Sequence, residues 1–430
     1  MSAAFGLMLV VFVVIALLRG PVGLAMIAGG IAYLGATGQD MGLAAEQILN
    51  SLFGSFVLIA VPMFIFAANV MNSGTLSERL YALAHALMGR FRGGLAHVNV
   101  LASVIFSGMS GSAIADAVGP GMVEIEMMCK NGRYSRPFAV AVSAASATIG
   151  PIIPPSIPMV LYALVSGASV GALFLGGVVP GLLMAAAMML VIVWIARRRN
   201  FPMEAPVQWS QIPRIFVRTL LPLLMPVILL GGIYSGVFTP TEAAAVAVVY
   251  ALVLGLFVYR EFTWRDLPKL ILDTVETTGV VMALVMTATL LGYCLTVARI
   301  PQEFGGWLTA LSSNPLVYLL IVNVLLLIVG CFMEALAAML VLIPILVPTA
   351  LKLGIDPVQF GLVFVLNLMI GTITPPVGVV LFVTAKVAGV PFDRLARATL
   401  PYLWALIAVL VLITVWPAVT TWLPHLVLDK

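Results

Sequence analysis

Gly150-Pro-Ile-Ile-Pro-Pro-Ser156 and Gly371-Thr-Ile-Thr-Pro-Pro-Val377 are two versions of one segment, 221 positions apart. The register continues without a gap to Pro180 and Pro401, then to Leu182 and Leu403. Upstream, Gly108, Gly132 and Phe138 match Gly330, Gly354 and Phe360 at a spacing of 222. An offset near half of the 430 residues means one design used twice. Each segment lies in a long apolar run, where its prolines remove backbone donors and interrupt a helix. The chain therefore carries a discontinuous helix at the same place in each half.

Composition fixes the solvent of these helices. Apolar residues make up 62% of the chain and charged residues 9%, and mean hydropathy is +1.17. Soluble domains carry about 25% charged residues, so a soluble protein of any fold is excluded. Runs of roughly 20 apolar residues must cross lipid as helices that satisfy their own backbone. The runs are continuous and not alternating, which excludes a transmembrane β-barrel. The expected fold is an all-α polytopic membrane protein of two inverted repeats. The net charge of +4 is too small for a nucleic-acid partner and reads as membrane orientation. Cys129, Cys294 and Cys331 have no paired spacing and read as small apolar residues. No basic region or cleavage site marks the N-terminus as a leader, so 3–18 is expected to be a retained span.

The halves can be walked span by span. The first repeat, 1–210, has apolar runs at 3–18, 21–37 and 51–71, then a mixed, interfacial stretch to about 97. A re-entrant hairpin follows at about 99–129, broken at Ser107-Gly-Met-Ser-Gly-Ser112, where glycine disfavours helix. A charged loop at Lys130–Arg136 leads to the broken helix 138–166, interrupted at Gly150–Pro158, and a span at 170–196. The second repeat, 211–430, has spans near 214–235, 241–259 and 273–297. It then has a hairpin at about 316–350 broken around Gly330, a broken helix at 358–386 and a span at 398–424. Each half crosses an odd number of times, so the halves are inverted. On this topology 18 of the 21 Lys and Arg residues share one side, leaving Arg299, Lys352 and Lys430 on the other. The positive-inside rule puts the larger set in the cytoplasm and both termini outside.

Inverted repeats with matched broken helices point to the binding site of a secondary transporter. Unpaired backbone groups at membrane depth need partners from protein, water or ligand. Carbonyls with nearby hydroxyls suit a hard cation such as Na⁺, and helix N-termini suit an anion. One cation site is expected where the Ser107–Ser112 tip meets Thr148–Ser156, and another where the Gly330 region meets Gly371–Val377. An anionic substrate would lie between the tips. Each feature also has a plainer reading: Gly and Pro serve packing and kinks, and Ser and Thr bond back to their own helix. Asp116 and Glu334, just after the two tips, either shape cation or proton binding or cap and brace the hairpins. Glu242, after Thr239-Pro-Thr241, reads as a helix start on the outer face. Trp264 and Trp422 suit interfacial belts. His85, His97 and His425 have no metal spacing, and no phosphate loop, His-Glu-x-x-His or Ser/His constellation is present. Neither ATP hydrolysis nor an intramembrane enzyme is supported; ion-driven transport remains.

At Ser107–Ala117, Phe138–Ser156, Thr239-Pro-Thr-Glu-Ala244 and Gly371–Pro376, the chain resembles the large membrane subunit of the tripartite ATP-independent periplasmic (TRAP) transporters. The resemblance covers essentially the whole chain. It implies Na⁺-coupled symport of a small organic acid (a dicarboxylate, sugar acid or keto acid) across the bacterial inner membrane by an elevator-type motion. It implies two partners: a small four-helix membrane subunit, here unfused, and a periplasmic substrate-binding protein. It places one Na⁺ at Ser107, Gly108, Gly150, Ile153 and Ser156 and another at Gly330, Gly371, Thr374 and Val377, largely through backbone oxygens. Ser110, Ser112, Asp116, Thr148, Pro154, Pro155, Thr372, Pro375 and Pro376 are the candidate substrate contacts. In one departure from the family's pattern, Ala113 replaces the second of two hydroxyl residues before Ala115-Asp116. Two partner-free alternatives are a stand-alone divalent-anion/Na⁺ symporter and a passive anion channel.

Overall fold

Lys386 and Arg136 illustrate how the halves are placed. In the computed structural model, which describes residues 3–18, 20–72, 76–201, 203, 212–311 and 314–428, helices account for most of the described residues. Arg136 Nε donates to the Ala388 carbonyl at 2.7 Å, two residues beyond Lys386, and its Nη2 pairs with Glu126 at 2.6 Å. Arg79 pairs with Glu261 at 3.2 Å, and Arg92 bridges to Met203. Each contact joins a basic loop of the first half to another basic loop, so these loops share a face. At the other ends of the helices, Thr241 Oγ1 donates to the Phe56 carbonyl at 3.0 Å and Tyr162 Oη to that of Pro357 at 3.4 Å. Arg19 and Lys430 lie outside the described residues.

The elements recur in order. Ala3–Leu17 and Val22–Thr37 answer to Ile212–Tyr234 and Pro240–Val253. Leu76–Met88 answers to Ile300–Leu311, a helix the sequence reading omitted. The first hairpin is Gly94–Ser110, Ala113–Val118 and Pro120–Cys129; the second is Pro315–Phe332 and Ala335–Lys352. The broken helices are Arg136–Ser146 with Ile157–Ser166, and Pro357–Gly371 with Val379–Ala388, closed by Val170–Arg199 and Phe392–Val415. Among the described residues, six helices are long and apolar enough to cross a membrane, or seven with the bent pair at 42–72. Large exposed side chains such as Leu190, Val227 and Val324 leave the outer surface suited only to lipid. The expected repeat boundary at 210 and 211 falls outside the described residues.

Several expected boundaries are corrected. The span at 51–71 is two helices, Gly42–Phe53 and Phe56–Asn72, bent by 68° at Gly54-Ser55, where Ser55 is extended. Its counterpart Leu267–Val297 is one unbroken helix of 31 residues. The final span ends at Val415, and Ala418–Leu428 is separate, because Pro417 cannot continue the ladder. The breaks in the hairpins are shorter than the sequence implies. Helix persists through Ser110, and the first turn is made by Gly111, whose φ of +61° suits a residue without Cβ. In the second, Gly330 is helical and the turn falls at Met333-Glu334. Glycine there serves close approach, not a break.

Polar braces tie each hairpin to its broken helix. In the first half, Ser146 Oγ donates to Asn99 Oδ1 at 2.8 Å, Asn99 Nδ2 donates to Ser143 Oγ, and Ser143 Oγ donates to the Gly121 carbonyl at 3.4 Å. In the second, Asn367 Nδ2 donates to Asn323 Oδ1 at 2.8 Å, and Asn323 Nδ2 donates to Thr414 Oγ1 at 2.9 Å. Ser146 and Asn367 occupy equivalent positions, 221 apart. Replacing Asn367 by Leu strands the buried Asn323 carboxamide oxygen, at an expected cost of about 1–3 kcal/mol. Denaturant unfolding in detergent would show it; an unchanged midpoint would mean that packing alone holds the arms together.

Candidate functional site

The two hairpin tips enter from opposite faces and meet. Gly111, Ser112 and Ala113 of the first tip, Glu334 and Ala335 of the second, and Pro151 and Thr372 of the broken helices line one cavity of about 100 Å³. Ser112, Ile114, Thr277, Val281, Glu334 and Leu336 also line a neighbouring open cleft of about 1020 Å³, whose far wall is Pro21–Leu24 and Ile27 with Glu276, Val280, Ala283 and Leu284. The cavity thus sits at the end of a cleft between the hairpin tips and the helices Val22–Thr37 and Leu267–Val297.

Local chemistry explains the tips. Ser112 is extended and caps Ala113–Val118 by accepting from Ala115 N–H at 3.4 Å. Glu334, also extended, caps Ala335–Lys352 by accepting from Ala337 N–H at 3.0 Å. Ser112 and Glu334 are 222 apart, so one capping position serves both tips with different side chains. The capping reading of Glu334 holds, and its carboxylate lines the cavity as well. Asp116 is buried with Oδ2 against Gly150 Cα, bracing the first hairpin on the first broken helix. Glu242 starts its helix as expected, in a reciprocal box with Thr239. Thr239→Ala is expected to cost about 1 kcal/mol of stability without altering transport, readable as a lower unfolding midpoint; lost transport would give this corner a role the cap does not.

The broken loops match in detail. Pro154-Pro155 and Pro375-Pro376 are both cis. Ser156 is buried and caps Ile157–Ser166, accepting from Met159 N–H at 3.2 Å while Oγ donates to the Pro151 carbonyl. In the second loop, Gly378 N–H donates to the Cys331 carbonyl at 2.9 Å and Cys331 Sγ to the Thr374 carbonyl at 3.1 Å. Gly330 and Gly371 are in backbone contact: a Cβ on Gly371 would lie 2.7 Å from Gly330 Cα. The second hairpin is thereby stitched onto the second loop. Among the described residues, no donor serves the carbonyls of Ile153 and Pro154, or those of Ile373 and Pro375. These oxygens are available to a cation.

Of the hydroxyls singled out in the sequence, Ser107 donates to Val104, Thr148 to Ala145, Thr372 to Met369 and Thr374 to Ile370, each to a carbonyl three or four residues back. Such a hydroxyl still offers an oxygen lone pair to a cation. Gly108 lies within Gly94–Ser110, and Ser110 ends that helix with its side chain outside the described set. Ser112 and Thr372 line the cavity, whereas Ser107, Asp116, Thr148, Pro154, Pro155, Pro375 and Pro376 do not. Val377 is half-exposed and does not line it. Sequence reasoning missed Cys331 and Thr277. Thr277 had a signal in the polar cluster Asp273, Glu276 and Thr277 within an apolar span; Cys331 had none.

Comparison with known proteins fits this geometry. The sequence pattern described as "Tripartite ATP-independent periplasmic transporter, DctM component" matches residues 9–419. The chain is 44% identical over 409 residues to the sialic acid TRAP transporter large permease protein SiaM of Vibrio cholerae, covering 95% of each chain. It is 43% identical over 370 residues to the C4-dicarboxylate TRAP transporter large permease protein DctM of Pseudomonas aeruginosa, covering 86% of each. It is 39% identical over 378 residues to the 2,3-diketo-L-gulonate TRAP transporter large permease protein YiaN of Escherichia coli, covering 88% of each. The crystal structure of the YdaH transporter of Alcanivorax borkumensis shares the fold, with a TM-score of 0.65, 17% identity and coverage of 86% and 87%. With a repeated hairpin and broken helix around one cavity, and a family pattern over nearly its whole length, the chain belongs to the TRAP transporter large permease family.

Proposed function

We propose that this permease is the ion-coupled subunit of a Na⁺-driven importer of small organic acids in the bacterial inner membrane. The observation that carries the reading is the meeting of both tips and both broken loops at one cavity, with Ser112, Pro151, Glu334 and Thr372 in its wall. One Na⁺ is assigned to each loop, on the carbonyls around Ile153 and Thr374 and the oxygens of Ser156 and Thr374. The relatives named for sialic acid, C4-dicarboxylates and 2,3-diketo-L-gulonate all handle acids, which favours a carboxylate substrate. Glu334 puts negative charge at the second tip, so the carboxylate belongs toward Ser112, with Na⁺ offsetting its charge.

The motion assigned here is elevator-type. Hairpins, broken helices and closing helices, which pack on one another, are taken as one body, and Val22–Thr37, Ala60–Asn72, Pro240–Val253 and Leu267–Val297, which also pack on one another, as a second; the two touch where Leu267–Val297 meets Ala335–Lys352. The cleft beside the tips lies between the two bodies, where sliding would carry the cavity across. A small membrane subunit would brace the second body, and a periplasmic binding protein would deliver the acid. Proteoliposomes holding the chain and its small subunit test this: uptake of a labelled acid should need both an inward Na⁺ gradient and the binding protein. Uptake with Na⁺ alone would favour a stand-alone symporter, and gradient-independent flux a channel.

A further inference from the structure

A second cavity, of about 460 Å³, lies on the arginine-rich face and shares no lining residue with the cavity between the tips. Its walls are the end of Val170–Arg199 and the start of Phe392–Val415, the closing helices of the two halves, which pack against each other there. Arg198, Arg199, Arg394 and Arg397 line it, over a floor that includes Phe138, Ile195 and Pro401. Arg198 lies 4.2 Å from the centroid of the Trp194 ring. No described carboxylate lies within salt-bridge distance of any of the four. Ser135 and Pro137 place the first turn of Arg136–Ser146 at the same opening, adding the positive end of a helix dipole.

Below the arginines both walls turn apolar. On the first helix, Arg198, Trp194 and Leu190 share one face at intervals of four residues, with Trp194 51% and Leu190 70% exposed. On the second, Arg397, Leu400 and Trp404 share a face, with Leu400 40% and Trp404 66% exposed. At 1.5 Å per residue, these faces descend roughly 10–12 Å from the charged rim toward the bilayer centre. A cationic mouth above two apolar tracks has the polarity of one membrane phospholipid: phosphate at the level of the arginines, acyl chains along Leu190 and Trp404. We infer that this groove binds an anionic phospholipid, which bridges the two inverted halves through Arg199, Arg394 and Arg397.

Photo-crosslinking in vesicles tests the inference, using phosphatidylglycerol or phosphatidylcholine with the same diazirine-bearing acyl chain. On the unaltered chain, phosphatidylglycerol should label residues 190–199 and 397–404 at least about fivefold more than phosphatidylcholine. The Arg199→Ala, Arg394→Ala, Arg397→Ala variant should fall to the phosphatidylcholine level, and excess inorganic phosphate should leave wild-type labelling unchanged. Equal labelling by the two lipids overturns the proposal without needing any variant to fold. So does undiminished labelling of the variant. Displacement by inorganic phosphate would replace the lipid site by a free-anion site.

Discussion

Gly371→Ala is expected to abolish Na⁺-driven uptake while the protein still inserts and purifies. The added Cβ would stand 2.7 Å from both Cα and the carbonyl carbon of Gly330, which are backbone atoms with no rotamer to change. Ordinary carbon contacts are about 3.5–4.0 Å, so the second hairpin must back away from its loop by roughly 1 Å. Overpacking of this kind costs about 1–3 kcal/mol, which a large membrane protein can survive. The loop cannot survive it in register. Gly378 N–H on the Cys331 carbonyl and Cys331 Sγ on the Thr374 carbonyl both cross the interface that is forced open. The expected signature is normal expression, at least roughly hundredfold slower uptake by analogy with misplaced catalytic groups, and a weakened Na⁺ response. Gly231→Ala is the matched control, since a Cβ there meets nothing within 4 Å and Gly231 lines neither the cavity nor the cleft. Uptake by Gly371→Ala at the control's rate would show that this contact is packing only.

The second large effect is expected from Ser156→Ala with Thr374→Ala. Both hydroxyls already donate their hydrogen to a carbonyl of their own chain, so each can present only oxygen to a ligand. Losing two charge-assisted contacts of about 1.5–3 kcal/mol each should raise the Na⁺ concentration for half-maximal uptake roughly a hundredfold or more. Ser156 also caps Ile157–Ser166, so cap loss needs its own control. Ser169→Ala supplies it: Ser169 caps Val170–Arg199 in the same way, accepting from Ala172 N–H at 3.3 Å, outside both loops. An unchanged Na⁺ response in the double variant would leave coordination to the backbone carbonyls alone.

Much of this arrangement is legible in the sequence because it depends on prolines and glycines in register. Pro154-Pro155 and Pro375-Pro376 remove donors wherever they stand, so a discontinuous helix in each half follows from the sequence, and the α-helices stop at Ser146 and Gly371 and resume at Ile157 and Val379. The alternation of basic and non-basic loops likewise carries the expected inversion, and the Arg79–Glu261 and Arg136–Ala388 contacts join basic ends of the two halves on one face. Glycine is more ambiguous, because the same residue permits a turn or a close approach. Gly111 makes a turn with positive φ, whereas Gly330 remains helical to let Gly371 approach, and only the neighbour distinguishes them. The bend at Gly54-Ser55 and the helix Ile300–Leu311 depend on packing, not on local pattern. The Asn99 and Asn367 braces were invisible for a related reason: a lone Asn in an apolar run does not say which helix it will meet.

The cavity between the tips is proposed to move an organic acid at the expense of a Na⁺ gradient. The most direct measurement is initial uptake of labelled sialic acid, C4-dicarboxylates and keto sugar acids into proteoliposomes. These would hold the chain and its small subunit, with the Na⁺ gradient and the binding protein supplied separately and together. Accumulation of at least one acid is expected only when both are present, and is expected to be lost in Gly371→Ala. Equal flux without a Na⁺ gradient would contradict it.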